Sequence, residues 1–246
     1  MIYYNNLTKT YLSTLLEAPD ISHGCTTRDA GDGRNIENII SFLRINQVIF
    51  KKVVLAEQIH SANVQVFSSS NNLLYELFED TDGLVTRDVK VVLAVRTADC
   101  IPIFYADRKH GVIGISHNGW RGTLKRISER VLDDMEKIGA QKKDIVAVLG
   151  PGINSCCYDV SEERYYDFMA EFEDDFGAFP VRMGKRHMNL LKLNFELLIK
   201  FGLNKKNIDF FPFCTMCNKE HFFSYRRDYH KQREKFGEMF SYIGLN

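Results

Sequence analysis

The sequence predicts an α+β fold in which mixed β-sheet is covered by helical layers, formed by a single domain over residues 1–246. Three observations predict it. Short runs dense in Val, Ile and aromatic residues crowd the middle of the chain. Helical periodicity is interspersed only after them, so the order is not the regular strand–helix alternation of a parallel βαβ series. The five prolines are scattered, and there is no repeat, low-complexity tract or linker to mark a boundary.

Taken in order, residues 52–56, 63–67, 83–86, 91–97, 101–106 and 111–116 read as strands. Asp107-Arg-Lys-His-Gly111 joins the last two as a hairpin turn. From 121 to 138, apolar Leu124, Ile127, Val131, Leu132, Met135 and Ile138 recur at helical spacing, and Gly139 supplies the residue that ends the helix. Residues 144–149 return to a strand that breaks at Gly150-Pro-Gly152. Ser161-Glu-Glu163 opens a second helix with a capping residue and first-turn acids, running to about Phe176. A third helix covers 189–201 and stops at Gly202, and 208–213 and 239–243 read as further strands.

Composition narrows the function. Lys plus Arg equals Asp plus Glu at 32 each, so no net field draws the chain to nucleic acid or an anionic membrane, and any anion must be caught by a local cluster. No stretch approaches the roughly 20 apolar residues of a membrane helix. The first residues have neither the basic end nor the apolar run of a signal peptide. A cytoplasmic setting is expected, with six reduced cysteines. Adjacent Cys156 and Cys157 rarely reach unstrained disulfide geometry. Cys214-Thr-Met-Cys217 has the spacing of a redox pair or half a zinc clip; no second Cys pair accompanies it, so it reads as a strand-end cysteine and an incidental thiol. A small-molecule partner is expected, and homo-oligomerisation is left open.

Three segments place a metal-competent or nucleophilic side chain at the end of a β run: Glu57-Gln-Ile-His60, Thr97-Ala-Asp-Cys100 and Ser116-His117-Asn-Gly-Trp-Arg-Gly122. Strand ends hold side chains rigidly at a reachable sheet edge. Two imidazoles and a thiolate are a good zinc donor set, and three protein ligands leave the fourth tetrahedral position open. By spacing alone each residue also has an ordinary reading: a hydrogen-bonded strand-end histidine, or a cysteine in the core.

The wording of the motifs goes further. His23-Gly24 to Thr27-Arg28, Gln58-Ile-His60, Thr81-Asp-Gly83, Thr97-Ala-Asp-Cys100-Ile-Pro-Ile, His117-Asn-Gly-Trp-Arg-Gly122, Gly150-Pro-Gly-Ile153 with Cys157-Tyr-Asp-Val160, and Phe222-Phe-Ser-Tyr-Arg-Arg-Asp228 occur in order along nearly the whole chain. In this the sequence resembles the YfiH-like, laccase-domain family of polyphenol oxidases and purine nucleoside phosphorylases. The resemblance implies a layered α/β/α-type fold, distantly like cysteine hydrolases, with His60, Cys100 and His117 as metal ligands. It implies phosphorolysis of adenosine, inosine, guanosine and methylthioadenosine, with phosphate as co-substrate, and deamination of adenosine. Editing of misloaded peptidoglycan precursors and copper-dependent oxidation of phenols are its other implied activities. Seven histidines, with His110, His187 and His221 in polar contexts that read as solvated, favour one zinc site over a multicopper centre. A metal-free thiol hydrolase or amidase with Cys100 as nucleophile and His117 as base is the alternative chemistry. A non-catalytic zinc protein would need a fourth ligand, for which Cys25 and Cys214 are the candidates.

Around the three ligands, Asp99 is a candidate acid or base, although strand alternation points it away from Cys100 and makes a structural cap equally consistent. Arg28, in the family's Thr-Arg element, is expected at the pocket in a catalytic and binding role. Arg121, at a helix start, suits an anion or a surface salt bridge. Tyr225, Arg226 and Arg227 suit phosphate or a purine edge, with one arginine facing the site and the other structural. Glu57 and Gln58 could orient a ligand imidazole or simply pack. Two departures from the family pattern stand out: the loop at 29–34 is short, and Glu238 stands where a basic residue is common.

Overall fold

The computed structural model describes residues 1–69, 71–172, 177–229 and 236–246. Its strands are β1 (Ile2–Asn5), β2 (Thr10–Ser13), β3 (Ile21–Thr26), β4 (Lys52–Ala56), β5 (Val64–Phe67), β6 (Tyr75–Phe78), β7 (Gly83–Thr86), β8 (Val91–Thr97), β9 (Ile101–Asp107), β10 (Val112–Asn118), β11 (Val146–Leu149), β12 (Val181–Arg182), β13 (Lys185–Arg186), β14 (Ile208–Phe210) and β15 (Met239–Leu245). The α-helices are α1 (Ile36–Ile45), α2 (Trp120–Leu124), α3 (Ile127–Lys137), α4 (Glu162–Phe172) and α5 (Leu190–Lys200).

A seven-stranded sheet runs β1-β2-β3-β15-β8-β4-β6, and a six-stranded sheet runs β14-β11-β9-β10-β7-β5. Both are mixed: β4 lies parallel to β6 and β8, whereas β15 lies antiparallel to β3 and β8. Period-2 alternation assigns each face its partner. Val54, Ala56, Leu93 and Val95 of the first sheet meet Leu84, Phe104, Ala106, Ile113 and Ile115 of the second. Their sequence neighbours Val53, Leu55, Val92 and Ala94 turn outwards onto Ile39, Phe42 and Leu43 of α1. Ile101, Ile103 and Tyr105 turn onto the layer that contains α3, α4 and α5. The expected layered α+β fold is found, and its β layer is two sheets back to back. Because both faces are buried, strands such as Val91–Thr97 read as continuous apolar runs.

The expected strands at 52–56, 83–86 and 91–97 appear with those bounds, and β9 and β10 pair across the turn at 107–111. The single helix expected over 121–138 is two. Arg126 takes a left-handed φ of 59°, and its amide bonds to Thr123 O, so the chain turns between α2 and α3. A buried network runs past this break: Tyr105 Oη and Asn118 Nδ2 both donate to Ser128 Oγ, and Asn118 Nδ2 also donates to Asn194 Oδ1 of α5. The second helix is found from Glu162 to Phe172, and its expected end at Phe176 lies outside the described residues. No helix among the described residues is long and apolar enough to cross a membrane.

Two features aim the fold at one place. The connection Ala98-Asp99-Cys100 crosses from β8 in one sheet to β9 in the other, and it needs Asp99 at a left-handed φ of 86°. The loop after β4 and the end of β10 reach the same edge.

Candidate metal centre

His60 leaves β4 in a left-handed turn, φ 60°, which a non-glycine residue adopts only when its surroundings enforce it. Asp82, fully buried just before β7, does so. Its carboxylate accepts the amides of Ile59 (3.2 Å), His60 (3.1 Å) and Ser61 (2.7 Å) as well as Ser61 Oγ (2.6 Å). The same carboxylate lies 2.8 Å from His117 Nδ1. With Nδ1 engaged, Nε2 is the coordinating atom His117 offers. Cys100 Sγ stands 3.9 Å from His60 Nε2, and the donor atoms of His60, Cys100 and His117 lie within 4.8 Å of one another. The gap between Sγ and Nε2 is within the span of one ion with Zn–N of about 2.0–2.1 Å and Zn–S of about 2.3 Å. Gly119 closes the cradle: a Cβ there would stand 3.0 Å from Cys100 Sγ and 3.1 Å from His60 Cδ2. The donor set and its spacing therefore fit a metal ion, and no fourth protein ligand joins this group among the described residues.

Without an ion the three groups polarise one another. Burial works to raise the Cys100 thiol, but the charge and hydrogen bond of His117, with help from His60, bring it down to about 7. Burial works against charge on His117, yet Cys100 and Asp82 carry it up to about 10. Burial would raise Asp82, and its bonds to His117 and Ser61 hold it down at about 2.

The donors line a cleft of about 550 Å³ with Arg96, Trp120, Arg121, Tyr158, Arg164, Tyr225 and Arg226. Arg121 and Arg164 lie against the Trp120 ring, with guanidinium carbons 4.4 and 4.0 Å from its centroid. Arg226 faces the cleft and is held by Asp159 Oδ1 at 2.6 Å. Arg227 is the structural partner: it pairs with Asp228 and donates to the carbonyls of Thr215, Met216 and Phe222.

Several of the expected residues lie elsewhere or take the structural alternative. Arg28 is not in the cleft; it donates to Lys219 O and its guanidinium sits over Phe223, which ties the Thr-Arg turn to the C-terminal loops. Asp99 borders the cleft, but its carboxylate accepts Thr215 Oγ1, Ser224 Oγ and the Arg226 amide, so it anchors that loop. Gln58 orients no imidazole; it bonds both the amide and the carbonyl of Arg96. His187 is buried rather than solvated, and His221 packs against Tyr4 and Tyr11. Glu238 does border the cleft, and its backbone binds the short loop through Gly33 and Asp32. Cys214-Thr-Met-Cys217 does have a second pair beside it, Cys156 and Cys157. Asp82 and Arg164 carried no assigned role in the sequence reading, because their partners lie far along the chain.

Residues 24–246 match the family model for multi-copper polyphenol oxidoreductase laccases. A purine nucleoside phosphorylase of Bacteroides thetaiotaomicron is 31% identical, over 85% of this chain and 87% of its own. Adenosine deaminase RL5, from an unknown prokaryotic organism, is 35% identical over 71% of this chain and 70% of its own. The crystal structure of the Bacillus licheniformis hypothetical protein YfiH superposes with a TM-score of 0.82 at 28% identity, covering 94% of this chain and 98% of that one. The motifs that gather at this sheet edge, the fold that carries them and these matches agree: the chain belongs to the YfiH-type, multi-copper polyphenol oxidoreductase laccase family.

Proposed function

We propose that this chain is a zinc-dependent purine nucleoside enzyme that phosphorolyses adenosine, inosine, guanosine and methylthioadenosine and deaminates adenosine. The observation that carries the reading is the convergence of His60, Cys100 and His117 in a cleft edged by arginines. The activities after which the relatives are named support the substrate class.

His60, Cys100 and His117 hold the ion, and zinc bound there supplies a Lewis acid at neutral pH. Asp82 fixes the His117 tautomer through Nδ1. Arg121 lines the cleft and binds no carboxylate among the described residues, so its guanidinium has capacity left for phosphate. Tyr225, exposed at the cleft and stacked on Tyr229 with ring centroids 4.5 Å apart, forms with it an aromatic wall suited to a purine. Arg226, held by Asp159, lines the same cleft. A cytoplasmic setting suits the six free cysteines.

Mass spectrometry of products from adenosine and phosphate tests the reading. Adenine with ribose 1-phosphate, or inosine, is expected, and Cys100→Ala should lose both the ion of this site and turnover. A Cys100→Ala variant that lacks the ion of this site yet keeps full activity overturns it, as does zinc-loaded wild type that leaves every nucleoside intact.

One observation favours a second reading. The Cys100 thiol lowered to about 7 beside a His117 held by Asp82 is also the arrangement of a thiol nucleophile, base and orienting carboxylate. That enzyme would cleave an amide and keep its activity after chelation, whereas the zinc enzyme would lose it. Copper suits the same three donors, but the other donor groups among the described residues include only one histidine, His110.

A further inference from the structure

We propose that Cys156, Cys157, Cys214 and Cys217 form a second metal site, a four-thiolate zinc clip that locks the outer wall of the cleft. Their sulfurs all lie within 4.8 Å of one another, with Cys217 Sγ 3.4 Å from Cys157 Sγ and 3.8 Å from Cys156 Sγ. Four thiolates around one zinc at about 2.3 Å would stand about 3.8 Å apart. The group shares no residue with the His60, Cys100 and His117 set.

Each pair is shaped locally. The amides of Cys157 and Tyr158 both bond to Asn154 O, and this tight turn brings the two adjacent cysteines to the same partner, Cys217. The Cys-x-x-Cys pair closes its own turn, with Asn218 donating from both its amide and its side chain to Cys214 O. That two-residue spacing is the one structural zinc sites favour. The Asn154 amide donates to Cys214 Sγ at 3.3 Å, a bond that joins the two loops and offsets thiolate charge. Cys156 and Cys217 are exposed, so an ion can enter, while Cys214 is buried and holds the inner side. A disulfide would use two of the four sulfurs and would not require the other pair at the same point.

The position gives the clip a purpose. Gly152 and Cys214 form a bridge, and Thr215 N donates to Gly152 O. One clipped loop continues into Tyr158 and Asp159, and the other leads to Arg226. Arg226 Nη1 closes the circuit on Asp159 Oδ1 and Cys157 O, at 2.6 and 3.4 Å. Thr215 and the Arg226 amide meet again on the Asp99 carboxylate. The ion would replace loop freedom with one covalently tied wall, each thiol releasing its proton to solvent as it binds.

Metal counting on protein purified under reducing conditions tests the proposal. Two zinc ions per chain are expected in the wild type, with one lost in Cys217→Ser and the other in Cys100→Ala. In the Cys100→Ala background the remaining ion should give thiolate-to-metal charge-transfer bands after cobalt exchange, and chelation should lower the Tm. Metal loss in Cys100→Ala alone, with Cys217→Ser unchanged from wild type, overturns the clip, and loss in Cys217→Ser alone counts against the first site. Should Cys217→Ser fail to fold, alkylation of the wild type decides: the four thiols should react only after chelation. Free alkylation of all four in untreated protein, or a Cys157–Cys217 disulfide by mass spectrometry, overturns the clip.

Discussion

Asp82 shows how one buried residue can set both the shape and the chemistry of a site. Its carboxylate is filled by the three consecutive amides at 59–61, which enforce the left-handed turn of His60, and by His117 Nδ1. Removing its charge therefore acts on two of the three donors at once. Outer partners of this kind are typically worth roughly 10–100-fold in metal affinity. Asp82→Asn is expected to weaken zinc retention by that factor in a chelator-competition titration, with the chain still folded. Retention equal to wild type would show that Asp82 has no part in holding the donors. The three candidate donors were readable in the sequence because Gln58-Ile-His60, Thr97-Ala-Asp-Cys100 and His117-Asn-Gly are whole motifs. Asp82 sat in an equally clear motif, but its role depends on contacts to positions 22 and 35 residues away. The choice between Arg226 and Arg227 likewise needed the positions of Asp159 and of three carbonyls.

At the scale of elements, the β2–β3 pair contains a histidine with a pH signature. His23, buried on β3, accepts the Ser13 amide at Nε2 at 2.9 Å. Burial pushes its imidazole down to about 4, against a smaller upward pull from the charge of Glu17. The unfolded chain takes up a proton near the ordinary value of about 6.5, so between that pH and about 4 it binds more protons than the folded chain. Stability from this group is thus complete above about pH 6.5 and drains away as the pH falls towards about 4. Urea unfolding at pH 7.5 and 5 should lose about 2 kcal/mol more in the wild type than in His23→Gln. Equal losses in the two proteins would sink the assignment. Helix starts and stops were legible because Asn189, Gly139 and Gly202 act locally. The break at Arg126 was not, since the apolar stripe of 124–138 is compatible with one helix and the chain turns beside a network that reaches Asn194 of α5.

At the scale of the molecule, the two sheets are held together by the side chains they bury between them. Leu93 is fully buried there, on a strand that also leads into the crossing to Cys100. Leu93→Ala leaves a cavity that close-packed sheets fill poorly, a change that costs roughly 2–5 kcal/mol. Denaturant unfolding should register that loss while metal content in the absence of denaturant stays unchanged. A cost below about 1 kcal/mol would mean that the sheets are not packed against each other at this point.

By itself the sequence determined the strands of the middle, the layered α+β class, the family and the three donors, because each is written in local periodicity or in contiguous motifs. Only the tertiary structure decided that the β layer is double, that Arg28 serves the frame and not the cleft, and that Asp82 serves both histidines. It also decided that Cys156 and Cys157 meet Cys214 and Cys217. The physical reason is the same in each case. Strand pairing and sheet stacking bring together groups far apart along the chain, and a side chain's role depends on which of those distant groups fills its hydrogen bonds.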